Sequence, residues 1–531
     1  MGPTTEPVPL DRYRVVRYVS VTKGSDVDGD GTQARPWRTL VYALSRAGEA
    51  SVDGRWAILV AAGVYNTGTV HMRSFVDLYG GFDPESWERD IWRFPTILDG
   101  QRVRRVAVGA DSARLDGFVI ARGAAEGHGG GILCQDTSPI ISNNVIRDNV
   151  ALAPRRADRF HLYQPGHHGG GIACLYNAAP WIRQNLICEN RTAFGCGAGV
   201  AFYGFRRAGD PEEPKLRDNR LVGGVQPKLE MNVIIANTSG VDDLSGSRSS
   251  SGGGILCAYE ARPFVRNNVI ALNRALGRSD AGGIYCEYFS YPEILSNWIV
   301  GNLAADDGGG IYVCRLSHAL IRENLIAGNR AEGGAGGGVR LSKEGRATIM
   351  QNWIVRNRRG GLCSVDSYAE VTDNVIADNW EGPGFWFHCH FTYYRSSLLR
   401  ENVIRGNQTG QVVVEPAGVV LVQGNNVEGG YPGGNRDWDS GFAQDAWLTR
   451  AEVVSHDSLR YTTVLTVETS DSPGVIGPGR VVRVGDAWTV VRHWEAPSVT
   501  VWGILGRKGD RVELELLRSY EVGRPARRRS L

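Results

Sequence analysis

From about Gly129 to Gly410 the chain repeats one phrase. Each repeat opens on glycines followed by Ile-x-Cys or a close variant: Gly129 to Cys134, Gly169 to Cys174, Gly252 to Cys257, Gly282 to Cys286 and Gly308 to Tyr312. A Pro-x-Ile-x-x-Asn-x-Ile-x-x-Asn stretch and a polar turn commonly follow. Units this short cannot bury their own apolar faces and must stack on their neighbours, so the period dictates a solenoid.

Two asparagine columns set the register. The first runs through Asn144, Asn185, Asn232, Asn268, Asn297, Asn324, Asn352, Asn374, Asn402 and Asn426. The second lies five residues on, at Asn149, Asn190, Asn237, Asn273, Asn302, Asn329, Asn357, Asn379 and Asn407. The apolar segment between them is strand-like in length and pattern. Asparagine tolerates turn geometry, and in register its amide can bond the asparagine one coil along. The shorter periods leave room for three short strands and three turns per coil, without long helices.

This grammar resembles the right-handed parallel β-helix of the pectate-lyase-like superfamily over most of residues 13–430. The resemblance implies an all-β solenoid whose outer strand face forms a sugar groove. It does not choose an activity, because that fold hosts lyases, hydrolases, epimerases and adhesins.

Residues 1–50 are expected to supply a strand and a capping helix over Pro36–Ala47, with Thr39 near its N-terminus. The helix would plug the open end of the solenoid. Residues 51–430 form the β-helix, with insertions near 151–168, 204–226 and 238–251. After Tyr431 the glycine-asparagine pattern stops, and residues 431–531 read as a small β-rich module, a barrel-like cap. A loose basic tail closes the chain from Arg524.

A net charge of +2 gives no bias toward nucleic acid or a membrane surface. No run approaches a transmembrane span. No signal-peptide core is visible in residues 1–20, so the chain either starts after a removed leader or is cytoplasmic; an extracellular or cell-surface location is favoured. Cys134, Cys174, Cys257 and Cys286 hold one place in their coils and should stack, reduced, in the interior. Cys314 and Cys363 stand one place out of frame and should be more reactive.

In the glycine-led strand, Ile and Cys point inward, so the alternate residues point outward. One outward column reads Leu133, Ala173, Ala201, Leu256, Tyr285, Tyr312, Arg340, Cys363, Trp386. The next reads Gln135, Leu175, Tyr203, Ala258, Glu287, Cys314, Ser342, Val365, His388. Glu260 and His390 follow in a third. The N-terminal coils are bland, whereas the later ones crowd aromatic, acidic and basic groups on one face. Aromatic faces stack on sugars, and arginine pairs with uronate carboxylates. Tyr285, Tyr312, Trp386, His390 and Glu260 are therefore candidate substrate-binding residues. His388, Arg340 and Glu287 are candidate catalytic residues. Asp280, Asp306 and Asp307, in turns beside this face, are candidate calcium ligands.

Two other motifs are set aside. Asp26-x-Asp28-x-Asp30-Gly31 matches the front half of a calcium loop, but Trp37 stands where the bidentate acid belongs. His388-Cys389-His390 is similar to a copper-oxidase segment but lacks partner His-x-His pairs. The favoured reading is a protein that binds a polysaccharide, acidic in preference to neutral, and cleaves it by β-elimination. The alternatives are a glycoside hydrolase on the same fold and a non-catalytic adhesion or scaffold protein.

Overall fold

The computed structural model describes the chain except residues 153–166, 205–225, 242–249, 391–396, 418, 438–445, 469–478 and 518–531. The expected insertions lie largely outside the described residues, as does the basic tail. Four parallel sheets of fourteen, thirteen, twelve and seven strands wind about one axis, and a closed six-stranded antiparallel barrel follows. The protein is thus a right-handed parallel β-helix with one N-terminal helix and a small C-terminal barrel.

One central coil shows the construction. Ile284–Glu287 lies in the twelve-stranded sheet, Glu293–Leu295 in the fourteen-stranded, Trp298–Val300 in the thirteen-stranded and Leu303–Ala304 in the seven-stranded. The fourth strand is one more than the period suggested. It consists of only two residues, an outward one and a small inward one, so it fits what the sequence shows as a turn.

The asparagines do what their spacing predicts. Each is buried and bonds the next coil. Asn297 Nδ2 donates to Asn324 Oδ1 at 3.0 Å and to the Val265 carbonyl at 3.0 Å. Its Oδ1 accepts the Asn268 backbone N–H at 2.9 Å and the Asn268 amide at 3.0 Å. A left-handed residue precedes each, such as Ser296 at φ 53°, and turns the chain between sheets. The first column needs one correction at its end. Asn402 bonds Asn425, not Asn426, and Asn425 passes the ladder on to Asn435. Asn426 instead begins the short strand Asn426–Val427. In the second column Gln411 closes the series by accepting from Asn407 at 2.7 Å.

The N-terminal helix is shorter than expected, Leu40–Arg46. Its start is held by Thr39, which accepts from the Tyr42 N–H, and by Asp26, which accepts from the N–H groups of Arg38 and Thr39 at 2.8 and 3.0 Å. Asp26 is therefore a helix-capping residue. Leu40, Ala43 and Leu44 join the solenoid core, which plugs that end.

The barrel, Ala446–Leu517, does not cap the other end of the solenoid. It packs sideways on the outer face of the thirteen-stranded sheet. Outward Leu186, Val233, Val269, Val300, Leu325 and Val355 form one buried cluster with Tyr461, Val481, Trp488 and Trp502 of the barrel. Trp488 seats on two glycine turns, and a Cβ on Gly328 would lie 2.2 Å from its ring. Arg356 pairs with Glu515, and Arg147 donates to the Ser458 carbonyl at 2.5 Å.

Candidate functional site

Pairing in the twelve-stranded sheet reproduces the outward columns. Leu256 pairs with Tyr285, Tyr285 with Tyr312, Tyr312 with Arg340, Arg340 with Cys363 and Cys363 with Trp386. Glu287 and His388 lie in the second column, paired with Ala258 and Val365 respectively. Coils rise about 4.8 Å each, so a residue and its partner two coils along stand roughly 10 Å apart.

Exposure departs from expectation in the middle of this face. Tyr285, Tyr312 and Glu287 point outward yet are buried. They lie in or beside an apolar cluster of Cys196, Leu256, Ala281 and Cys314, and Tyr203 and Tyr259 pack against it. Cys314 and Cys363 are buried as well, so their outward register does not make them accessible. All nine cysteines are free.

Burial changes the acids. Glu287 accepts from the Tyr285 hydroxyl at 3.2 Å, with the Arg315 guanidinium 3.7 Å away. Desolvation nevertheless prevails over Arg315, Tyr285 and Lys343, and pushes the Glu287 carboxyl up to about 7. Asp280 is pushed up to about 7 by burial and by neighbouring Asp307. Asp306 is raised by the same two causes. Both Glu287 and Asp280 therefore hold a proton for much of the time near neutral pH.

The aspartate trio is bound to protein groups. Asp280 Oδ1 accepts the Asp307 N–H at 3.3 Å, and Asp307 Oδ1 accepts the Ala335 N–H at 2.7 Å. Arg340 Nε lies 3.5 Å from Asp307 Oδ2. A guanidinium thus stands where a cation would compete, and no three His, Cys, Asp or Glu side chains converge as ligands among the described residues.

The other candidates are spread along the axis. Arg340 is half-buried, two coils from Tyr285, and also contacts Cys363 Sγ. Trp386 and His388 are half-buried two coils farther on. His388 Nδ1 is 3.2 Å from Glu415, and His390 Nδ1 is 2.8 Å from Asp366. His388 is four coils, roughly 19 Å, from the Glu287 row, so the two cannot act on one bond. Glu260 is exposed in a turn.

One feature escaped the sequence reading. Beside the groove His168, Tyr203, Tyr259 and Tyr288 form a continuous ring column, with centroid distances of 5.6, 4.6 and 4.5 Å, and the Arg315 guanidinium lies 4.5 Å from the Tyr288 ring. Tyr259 and Tyr288 occupy left-handed turn positions, φ 53° and 48°, just past the strand. The signal was their common offset after the Ile-x-Cys strand.

Comparison with known proteins agrees with the fold. A family described as "Right handed beta helix region" matches residues 223–376 and 325–444. No curated protein matches the chain. Among solved structures, the periplasmic alginate epimerase AlgG aligns at 14% identity and TM-score 0.32, over 70% of this chain and 76% of its own. A point mutant of the same epimerase gives 14% and 0.31 over the same shares. Tailspike protein gp49 of the Acinetobacter baumannii bacteriophage Fri1, a capsular polysaccharide depolymerase, aligns at 10% identity and TM-score 0.30, over 94% of this chain and 86% of its own. Likenesses this low do not bear on activity.

Proposed function

We propose that the protein binds an acidic polysaccharide along the outer face of the twelve-stranded sheet and cleaves it, by β-elimination in preference to hydrolysis. One observation carries this reading. Glu287 and Asp280, each protonated for about half the time near neutral pH, sit beside Arg315, Arg340 and Lys343 on successive coils. A charged acid would repel a uronate, whereas a neutral one can donate to it, and the guanidinium groups supply the attraction. The tyrosine rings cover one another's faces from coil to coil, so the column offers ring edges and hydroxyls along the axis, past which a sugar chain crosses several coils.

In this reading Glu287 is the proton-transfer group, because its pKa lies near the working pH. Arg340 holds a substrate carboxylate. Trp386, His388 and His390 contact sugar units farther along the chain, since His388 is too distant to share a bond with Glu287. An extracellular or cell-surface location belongs to the same proposal.

The test is calorimetric binding of polygalacturonate, alginate and neutral dextran, with ultraviolet absorbance to detect unsaturated product. Glu287→Gln should stop product formation and leave affinity unchanged. Arg340→Ala should weaken the acidic glycans more than dextran. Leu175→Ala, on the bland end, should change nothing. Binding without product makes the protein a non-catalytic binder. No binding of either acidic glycan defeats the reading.

A further inference from the structure

The seven-stranded sheet has an outward column of its own. Strand pairing takes it from Val150 to Arg191, Thr238, Arg274, Leu303 and Arg330, and single bridges extend it to Arg358 and Trp380. Arginine therefore recurs on every second coil at 191, 274 and 330. The inward partners Thr192, Ser239, Ala275, Ala304 and Ala331 are small and buried, so the arginines stand on a narrow rigid edge.

The charge along this edge is uneven. Arg330 pairs with Glu332 at 2.7 Å and Arg358 with Glu381 at 2.7 Å. Arg191 and Arg274 are exposed and make no ion pair among the described residues. The column ends on Trp380, the one aromatic among the exposed large apolar side chains of the described residues, at 43% exposure. The Arg358 guanidinium lies 5.3 Å from its ring. An exposed tryptophan at the end of an arginine row has no core to fill and is shaped to stack on a sugar.

We propose that this edge is a second glycan track, binding an extended acidic polysaccharide that carries one anionic group per disaccharide. Two coil rises set the arginines about 9.6 Å apart. That spacing suits sparse, regularly placed carboxylates on a stiff chain. It does not suit nucleic acid, whose phosphates recur about every 3.4 Å along a strand. The track is independent of the twelve-stranded face, which occupies another side of each coil.

The experiment uses the full chain and hyaluronan oligosaccharides, with dextran and single-stranded DNA as comparators, titrated by calorimetry at low and moderate salt. Arg191→Ser with Arg274→Ser should weaken hyaluronan by about fivefold or more, as loss of two exposed charge pairs implies, and flatten its salt dependence. Trp380→Ser should weaken it at both salt concentrations. Arg315→Ala with Lys343→Ala, on the twelve-stranded face, should weaken hyaluronan less than the double arginine variant does, and its effect on polygalacturonate reports the other face separately. All the altered residues lie on the surface, and an unchanged urea midpoint confirms folding. The proposal is overturned if the double arginine variant binds hyaluronan like the parent, if the twelve-stranded-face variant loses as much, if DNA binds more tightly, or if hyaluronan does not bind at low salt.

Discussion

Replacing Asn297 by leucine removes one rung from the middle of the inner ladder. Four groups lose a partner: the Asn268 backbone N–H, the Asn268 side-chain amide, the Val265 carbonyl and Asn324 Oδ1. Asn268 Nδ2 keeps the Leu229 carbonyl, and Asn324 Oδ1 keeps the Asn297 backbone N–H. Val265 stays in its strand, paired with Ile294 of the next coil. The Asn268 backbone N–H is therefore the group stranded outright, in a region with no access to water. An unsatisfied buried group costs about 1–3 kcal/mol, and that range is the expected destabilisation. The three weakened partners raise the cost, while the apolar burial of leucine offsets part of it. A solenoid opens in sections, so a single melting temperature is a poor measure. Hydrogen exchange is the assay, read at the amide of residue 268 and its neighbours on the adjoining coils. Protection should fall there and persist near Asn144. Unchanged protection around residue 268, with an unchanged urea midpoint, would refute the view that the ladder satisfies the interior.

The remaining predictions concern acids, thiols and the barrel. Glu287 has a folded pKa near 7, above its ordinary 4.5, so the native state holds the extra proton and stability falls as pH rises from 4.5 through 7. Asp280 adds to the same slope from 3.8. Glu287→Gln should flatten that decline in urea midpoints measured from pH 5 to 8; an equally steep decline would show that Glu287 is not the group responsible. A thiol reagent should label Cys314 and Cys363 in native protein as slowly as Cys134 and Cys257, and fast labelling of the first pair would contradict their burial. Gly328→Ala should loosen the barrel, because φ is 63° and the new methyl would overlap the Trp488 ring, so limited proteolysis should release the C-terminal module early. Equal protease resistance would show that Trp488 does not fasten the barrel.

The sequence by itself determined the solenoid, its asparagine ladder and the outward order Tyr285, Tyr312, Arg340, Cys363, Trp386. The reason is that a parallel coil repeats at fixed offset, so a column in the alignment of repeats becomes a row in space. The slip at Asn426 came from two adjacent asparagines competing for one place; the offset itself holds, since Leu399 pairs with Val422 and Val403 with Asn426, which sets Asn425 opposite Asn402. A further signal was legible: triplets such as Val269-Ile270-Ala271 are apolar on both faces, as a sheet covered on both sides requires. What covers that outer face could not be read from the repeats, because the covering groups, Trp488 and Trp502, come from a module without the period. The same holds at the candidate site. Tertiary structure alone decided that Glu287 is buried with its pKa raised toward neutral and that Tyr203, Tyr259 and Tyr288 form one column. These properties depend on how turns of unequal length fold against the strands of adjoining coils, and a strand register carries no information about turns.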